Sequence, residues 1–334
     1  MAARGVLPDT ALNDAIAKGW ISADVAWAED QVQPASLDLR LGSRAYRLRA
    51  SFLPGAACVK DRLDRELVMH EIDLTDGAVL ETGCVYLVPL LERARLPKDI
   101  HGAANPKSST GRIDVFTRLI ADRASAFDHV PEGYEGPLWA EISPCTFSIL
   151  VRPGARLSQL RLRRGAPQPK RESDFTIDLS LKGAVGFRAK RHSGVIDVDR
   201  LGAYDPRDYW EALDARHGRV VLDPGQFYIF ASKENVLIPP DEAAEMAPIR
   251  PELGEFRAHY AGFFDPGFGI APHEGRAVLE VRSRDVPFFV EDGQPVGKLV
   301  FEPLTEKAAK LYGETGSSYQ GQGLKLSKHF AAWR

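Results

Sequence analysis

The chain says nearly the same thing twice. "SLDLRLG" (36–42) returns as "TIDLSLKG" (176–183), "LETGCVYLVP" (80–89) as "LDPGQFYIFA" (222–231), and "RPGARLSQLRL" (152–162) loosely as "EDGQPVGKLVF" (291–301). Asp178 follows Asp38 by 140 residues, Tyr228 follows Tyr86 by 142, and Gly293 follows Gly154 by 139. A nearly constant offset implies a tandem duplication, so whatever fold one half adopts the other adopts too. Two domains also suit 334 residues at roughly 150 residues per domain. The boundary is expected in "RRGAPQPKRESD" (163–174), which is polar, charged and proline-bearing, giving repeats over 1–168 and 169–334.

Each half reads as mainly β. "CVYLVPL", "TFSILVRPG", "FYIFAS", "AVLEVRS" and "PFFVEDG" are short apolar runs between Pro and Gly turns, as strands require. Helices are few. One is expected over "PDTALNDAIAKG", with Asp9 as cap and Gly19 as stop. A second is expected over "DPRDYWEALDARHG", with Asp205 as cap and Gly218 beyond, and a third over 305–313.

Bulk properties narrow the function. A net charge of −3 and a pI near 6.3 give no basic field for nucleic acid. Cys58, Cys84 and Cys145 are odd in number and far apart, which fits neither a disulfide framework nor a cysteine zinc site and suits a reducing cytoplasm. No apolar run reaches the roughly 18 residues of a membrane span, and "MAARGVLPDT" has no signal-peptide core.

Three stretches could carry chemistry. In "KSSTGR" (107–112), Ser108 and Ser109 can donate to an anion and Arg112 can make a forked contact, with Lys107 adding charge. This is no Walker loop, because Pro106 stands where the second glycine should be and has no N–H. The same residues would also make an ordinary solvated turn. In "AVLEVRS", Glu280 shares a face with Val278 and Arg282 and could be solvent-facing or placed in a cleft. Upstream, "AGFFDPGFG" (261–269) joins two aromatics, a tight turn and Asp265. It suits a planar base, or a β-turn with Phe263 and Phe264 in the core. The last stretch, "GSSYQGQGLKLSKHF" (316–330), reads alone as a flexible tail, yet Tyr319, Gln320, Gln322 and Lys325 could close over a nucleotide.

Together these stretches resemble the dCTP deaminase family, within the wider dUTPase-like superfamily. "LPDTALNDAIAKGWI" resembles its opening helix and "QPASLDLRLG" its first strand. "KSSTGR" resembles its phosphate loop, with Lys107 for a leading arginine. "AGFFDPGFG" with "AVLEVRS" resembles its base-binding turn and catalytic strand, and "SSYQGQ" its closing tail. The resemblance implies two tandem dUTPase-like β-barrel or β-clip domains. It implies Glu280, Ser108 and Arg112 as catalytic residues, and Lys107, Ser109, Ala261, Phe264, Asp265, Tyr319, Gln320, Gln322 and Lys325 as substrate-binding residues. It also implies dCTP, dUTP or dTTP as ligands, Mg²⁺ carried on the triphosphate and a homo-oligomer, a trimer by analogy or a dimer. The spacing from Asp265 to Glu280 is five residues longer than in the family, near "IAPHE", which a longer hairpin would absorb.

The duplication is uneven. Positions matching the phosphate loop in repeat 2 hold Ile249, Arg250, Pro251 and Gly254. Repeat 1 keeps a glutamate, Glu141, but has no clear counterpart of the base turn. Each half keeps what the other lacks, so one composite site is expected. Zinc deaminases carry H-x-E and P-C-x-x-C; neither occurs here, "SPCTF" having a single cysteine, so a zinc-independent deamination resting on Glu280 is expected. Rival readings are a dUTPase or bifunctional enzyme, although "GVIDVDR" (194–200) sits in the wrong register for a dUTPase base turn, and a non-catalytic nucleotide-binding regulator.

Overall fold

A computed structural model describes residues 3–166, 169–215, 217–247, 256–259, 262–272, 274–283, 285–314 and 318–334. Its principal strands in the first half are β1 (Ser36–Leu39), β2 (Arg44–Leu48), β3 (Val68–Asp73), β4 (Val85–Arg95), β5 (Ile100–Pro106), β6 (Val115–Ala121), β7 (Glu135–Pro144) and β8 (Ser158–Arg164). In the second half they are β9 (Arg171–Thr176), β10 (Gly186–Ala189), β11 (Trp210–Leu213), β12 (Phe227–Val236), β13 (Glu242–Ala247), β14 (Phe256–His259), β15 (Gly275–Ser283) and β16 (Pro295–Pro303). One sheet of the first half runs β6-β7-β4-β2-β3, and one of the second runs β14-β15-β12-β10-β11. Likewise β8 lies between β5 and β1, and β16 between β13 and β9. The fold is mainly β with a few short helices.

Local chemistry repeats with the strand order. The Tyr86 hydroxyl accepts the Glu81 amide at 3.0 Å, and the Tyr228 hydroxyl accepts the Asp223 amide at 2.8 Å. Between each pair a glycine, Gly83 or Gly225, holds a positive φ that lets the chain turn tightly into the strand.

From Phe227 to Ala231, β12 is apolar on both faces because both faces are covered, whereas β15 alternates an apolar face with one that carries Glu280 and Arg282. Tyr228, Phe230, Ala277, Leu279 and Val281 fill the core of the second half, whereas Phe227, Ile229 and Val278 join the core of the first. At about 1.5–3 kcal/mol per buried large apolar side chain, this shared core fixes one half on the other. Polar groups set the register. Arg163 of β8 pairs with Glu302 of β16 at 2.6 Å and with Glu245 of β13 at 2.6 Å, all across the seam.

The helices depart from expectation. The first spans Asp9–Ala17, but Asp9 does not cap it; its carboxylate accepts the Ala309 and Lys310 amides at 2.8 and 3.1 Å. Residues 305–313 are therefore an irregular segment tied down by Asp9, not a helix. Asp205 does cap a helix, accepting the Arg207 amide at 2.9 Å, yet that helix is the single turn Pro206–Tyr209. From Trp210 the chain is strand β11, paired with β10, because burying Trp210 against the sheet outweighs helix propensity. Among the described residues no helix is long and apolar enough to cross a membrane, and all three cysteines are unpaired.

Candidate active site

The face of β15 that carries Val278, Glu280 and Arg282 looks onto the first half. Arg282 fastens it there through an ion pair with Asp114 and a 3.1 Å hydrogen bond to Thr146. Opposite lies a one-turn helix, Ser108–Gly111, at the end of β5. Gly111 packs directly on the Glu280 carboxylate: a Cβ at that position would stand 2.3 Å from Glu280 Oε2. Only a residue without a side chain leaves the carboxylate where it is.

Between these elements is a cavity of about 490 Å³. Lys107, Ser108, Ser109 and Arg112 line it from the first half, and Phe264, Asp265 and Glu280 from the second. Glu280 and Asp265 thus face one cavity. Burial pushes the Glu280 carboxyl up to about 8; Arg112 opposes the shift and Asp114 adds to it. A carboxyl poised there can hold or release a proton near neutral pH.

Asp265 is buried and bonded at 3.1 Å by Arg161, a fully buried arginine from β8 that also donates to Ala244 O at 2.9 Å. Burial raises the Asp265 pKa and Arg161 holds it back. Arg161 could not be picked from sequence, since its carboxylate partner, Asp265, comes from the other half. Phe264 packs in the second core, edge-on to Phe268 at 5.3 Å, and still shows a surface to the cavity. Ala261 lies outside the described residues.

The C-terminal segment is packed, not free. Arg112 donates to Gln322 Oε1 at 2.9 Å and to Lys325 O at 3.1 Å, and lies 3.9 Å from the centroid of the Tyr319 ring. Ser327 Oγ sits 2.8 Å from Ser109 O and 2.9 Å from His329 Nδ1. Phe330 enters an aromatic cluster with Phe147, Tyr209 and Trp210. Its apolar anchors, not its polar composition, decide its state. Tyr319 and Gln322 line the cavity; Gln320 and Lys325 do not. Gln320 binds backbone at Gly267, Gly269 and Tyr312, and Lys325 Nζ binds Ser318 O at 2.6 Å. Sequence reading missed Arg156, Lys328, His329, Val198, Asp199 and Leu201, which also line the cavity.

Two polar atoms in the cavity wall stand out. Arg112 Nε and Asp38 Oδ1 are buried with no partner, one a donor and the other an acceptor. Such orphans are costly unless a ligand satisfies them. Asp38 Oδ2 is taken by Lys107. Among the described residues no three His, Cys, Asp or Glu side chains cluster as metal ligands.

The matching position of the first half is built differently. Glu141 of β7 is buried and paired with Arg118, which stacks 3.8 Å from the centroid of the Phe127 ring. Trp139, which corresponds to Val278, is packed beneath Phe52, Val59, Leu63 and Leu67. A segment of the first half thus covers the face of β7 that corresponds to the one β15 turns toward the Lys107–Arg112 turn.

Comparison with known proteins agrees with this architecture. The family model for the 2'-deoxycytidine 5'-triphosphate deaminase (DCD) N-terminal domain matches residues 3–166, and the one for its C-terminal domain matches residues 159–330. A "dCTP deaminase" of Halorubrum lacusprofundi is 28% identical over 161 residues, 46% of this chain and 75% of its own length. A "dCTP deaminase, dUMP-forming" of Beutenbergia cavernae is 35% identical over 149 residues, 42% of this chain and 75% of its own. The crystal structure of 2'-deoxycytidine 5'-triphosphate deaminase from Agrobacterium tumefaciens superposes with a TM-score of 0.88 at 51% identity, covering 92% of this chain and 99% of that one. With both domain models matched and a solved relative superposing over nearly its whole length, this chain belongs to the 2'-deoxycytidine 5'-triphosphate deaminase family.

Proposed function

We propose that this chain hydrolyses dCTP to dUTP and ammonia, supplying uracil deoxynucleotides for thymidylate synthesis, in one cavity shared by its two halves. The observation that carries this reading is the Glu280 carboxylate resting on Gly111 of the Lys107–Arg112 loop.

Lys107, Ser108, Ser109 and Arg112 take the triphosphate. Phe264, Asp265 and the backbone at Ala261 take the nucleoside, and the tail from Tyr319 to Lys325 closes the site, with Gln320 and Lys325 acting through the backbone they hold. Water adds to C4 of cytosine as Glu280 accepts its proton and passes it to N3. The C4–N bond then breaks and ammonia leaves with a second proton relayed through Glu280, giving the uracil ring. Ser108 and Arg112 stabilise charge developing near the water. One general acid/base contributes about 10²–10⁴-fold, so closure and positioning supply much of the rest. Zinc is not required in this scheme: the zinc-deaminase motifs are missing from the sequence. Mg²⁺ arrives on the triphosphate as part of the substrate. In a homo-oligomer, threefold by resemblance, each chain carries its own cavity.

One observation favours a second product. The Beutenbergia cavernae relative is named dUMP-forming, so the same site would cleave the triphosphate as well. Incubation with dCTP and Mg²⁺ decides: ammonia with dUTP supports the first reading, and dUMP with pyrophosphate supports the second. Tight binding with no product would favour a regulator.

A further inference from the structure

The cation that sequence assigns to the closing tail, Lys325, is exposed, bonds the Ser318 carbonyl and does not line the cavity. Three residues on, Lys328 lines the cavity wall and is half-buried. Its backbone is fixed at both ends: its amide donates to the Tyr319 hydroxyl at 3.1 Å, and its carbonyl accepts the Gly202 amide at 2.9 Å. The backbone of Lys328 is therefore held in place beside the cavity.

Its charge is surplus. Lys107 and Arg156 are the neighbouring cations, and Asp38 and Asp30 the neighbouring anions. Asp38 is already paired with Lys107, and Asp30 with Arg156 at 2.8 Å. Among the described residues no carboxylate or carbonyl accepts from the Lys328 ammonium. Burial and the two cations accordingly depress its pKa. A polyanion entering this end would relieve that repulsion, and the number of its charges would set how much.

We propose that Lys328 is a specificity-determining residue that binds the phosphate chain of the nucleotide and makes the site prefer a triphosphate to a monophosphate. This rests on the cavity being a dCTP site. Lys328 comes from the tail, Lys107 and Arg112 from the loop, so the phosphate chain would clamp the C-terminal segment to the first half.

The test uses the full chain with Lys328→Met, Lys328→Arg and, as a control for lost surface charge, Lys298→Met, whose solvent-facing ammonium pairs with Glu172. Calorimetric titration with inorganic tripolyphosphate is run beside steady-state deamination of dCTP and dCMP. Lys328→Met is expected to weaken tripolyphosphate binding about tenfold or more, the scale of one charge-assisted hydrogen bond. It should raise KM for dCTP similarly, leave kcat within about threefold, and change KM for dCMP little. Lys328→Arg should restore binding, and Lys298→Met should match the parent. Unchanged tripolyphosphate affinity in Lys328→Met, or equal losses for dCTP and dCMP, overturns the proposal. If the parent binds tripolyphosphate through Lys328 but deaminates nothing, the deaminase reading fails while the anion site stands.

Discussion

Gly111 and Glu280 come from different halves of the chain and touch: a Cβ on the glycine would lie 2.3 Å from one carboxylate oxygen and 2.7 Å from the other. The Lys107–Arg112 turn therefore forms the floor on which the Glu280 carboxylate rests. Under the proposed roles, the contact joins anion binding and proton transfer at one seam between the halves.

Substitution at this contact should act on rate before stability. The end of a glutamate side chain can rotate away from an added methyl, so Gly111→Ala should be mild. Gly111→Val cannot be absorbed that way and should lower kcat by about 10–10²-fold, a misplacement effect. Steady-state kinetics with a thermal melt checks it; a melt depressed as strongly as the rate would point to lost folding instead.

Glu280→Gln should reduce turnover by about 10²–10⁴-fold, the range for one general acid/base, while nucleotide still binds. Glu141→Gln should leave kcat within a few-fold, since Glu141 faces Arg118 in the first half and not the cavity. An inactive Glu141→Gln beside an active Glu280→Gln would refute the composite site.

The raised carboxyl predicts a pH signature. Glu280 moves from an ordinary 4.5 to about 8 on folding, so the native state holds this proton more tightly than the unfolded chain. Its stabilising contribution is complete below about 4.5 and is lost as pH rises through about 8. Gln cannot titrate. The melting temperature of Glu280→Gln relative to the parent should therefore climb between pH 5 and 8, and level off above. Parallel melting curves across that window would show that the carboxyl is not raised.

Arg161→Met should destabilise strongly. It leaves Asp265 buried without its 3.1 Å partner, and breaking a buried ion pair from one side typically costs about 3–5 kcal/mol. Adding Asp265→Asn should recover part of this, because the stranded charge is gone. Denaturant unfolding of the single and double variants measures it; strict additivity would mean the two residues are not coupled.

Arg112→Ala should raise KM for dCTP and loosen the tail together. It removes the bonds to Gln322 and Lys325 and the stack on Tyr319. Hydrogen exchange should rise over residues 318–326 and stay low around Phe330, which its aromatic cluster still holds.

Much of the molecule was legible in one dimension. Strand periodicity and the turn glycines suffice for a mainly β chain, because these features act within a few residues of themselves. The types of the residues that could bind an anion or shuttle a proton were also visible, Ser108, Arg112 and Glu280 among them. Tertiary structure decided the rest. Helix propensity after Asp205 lost to the burial of Trp210, and the polar tail became ordered because Phe330 found an aromatic cluster. That Glu280 rests on Gly111, that Arg161 holds Asp265, and that Lys328 faces the cavity while Lys325 faces out are all contacts between residues far apart in the chain. No local pattern encodes them, since the free energy that selects them comes from packing one half against the other.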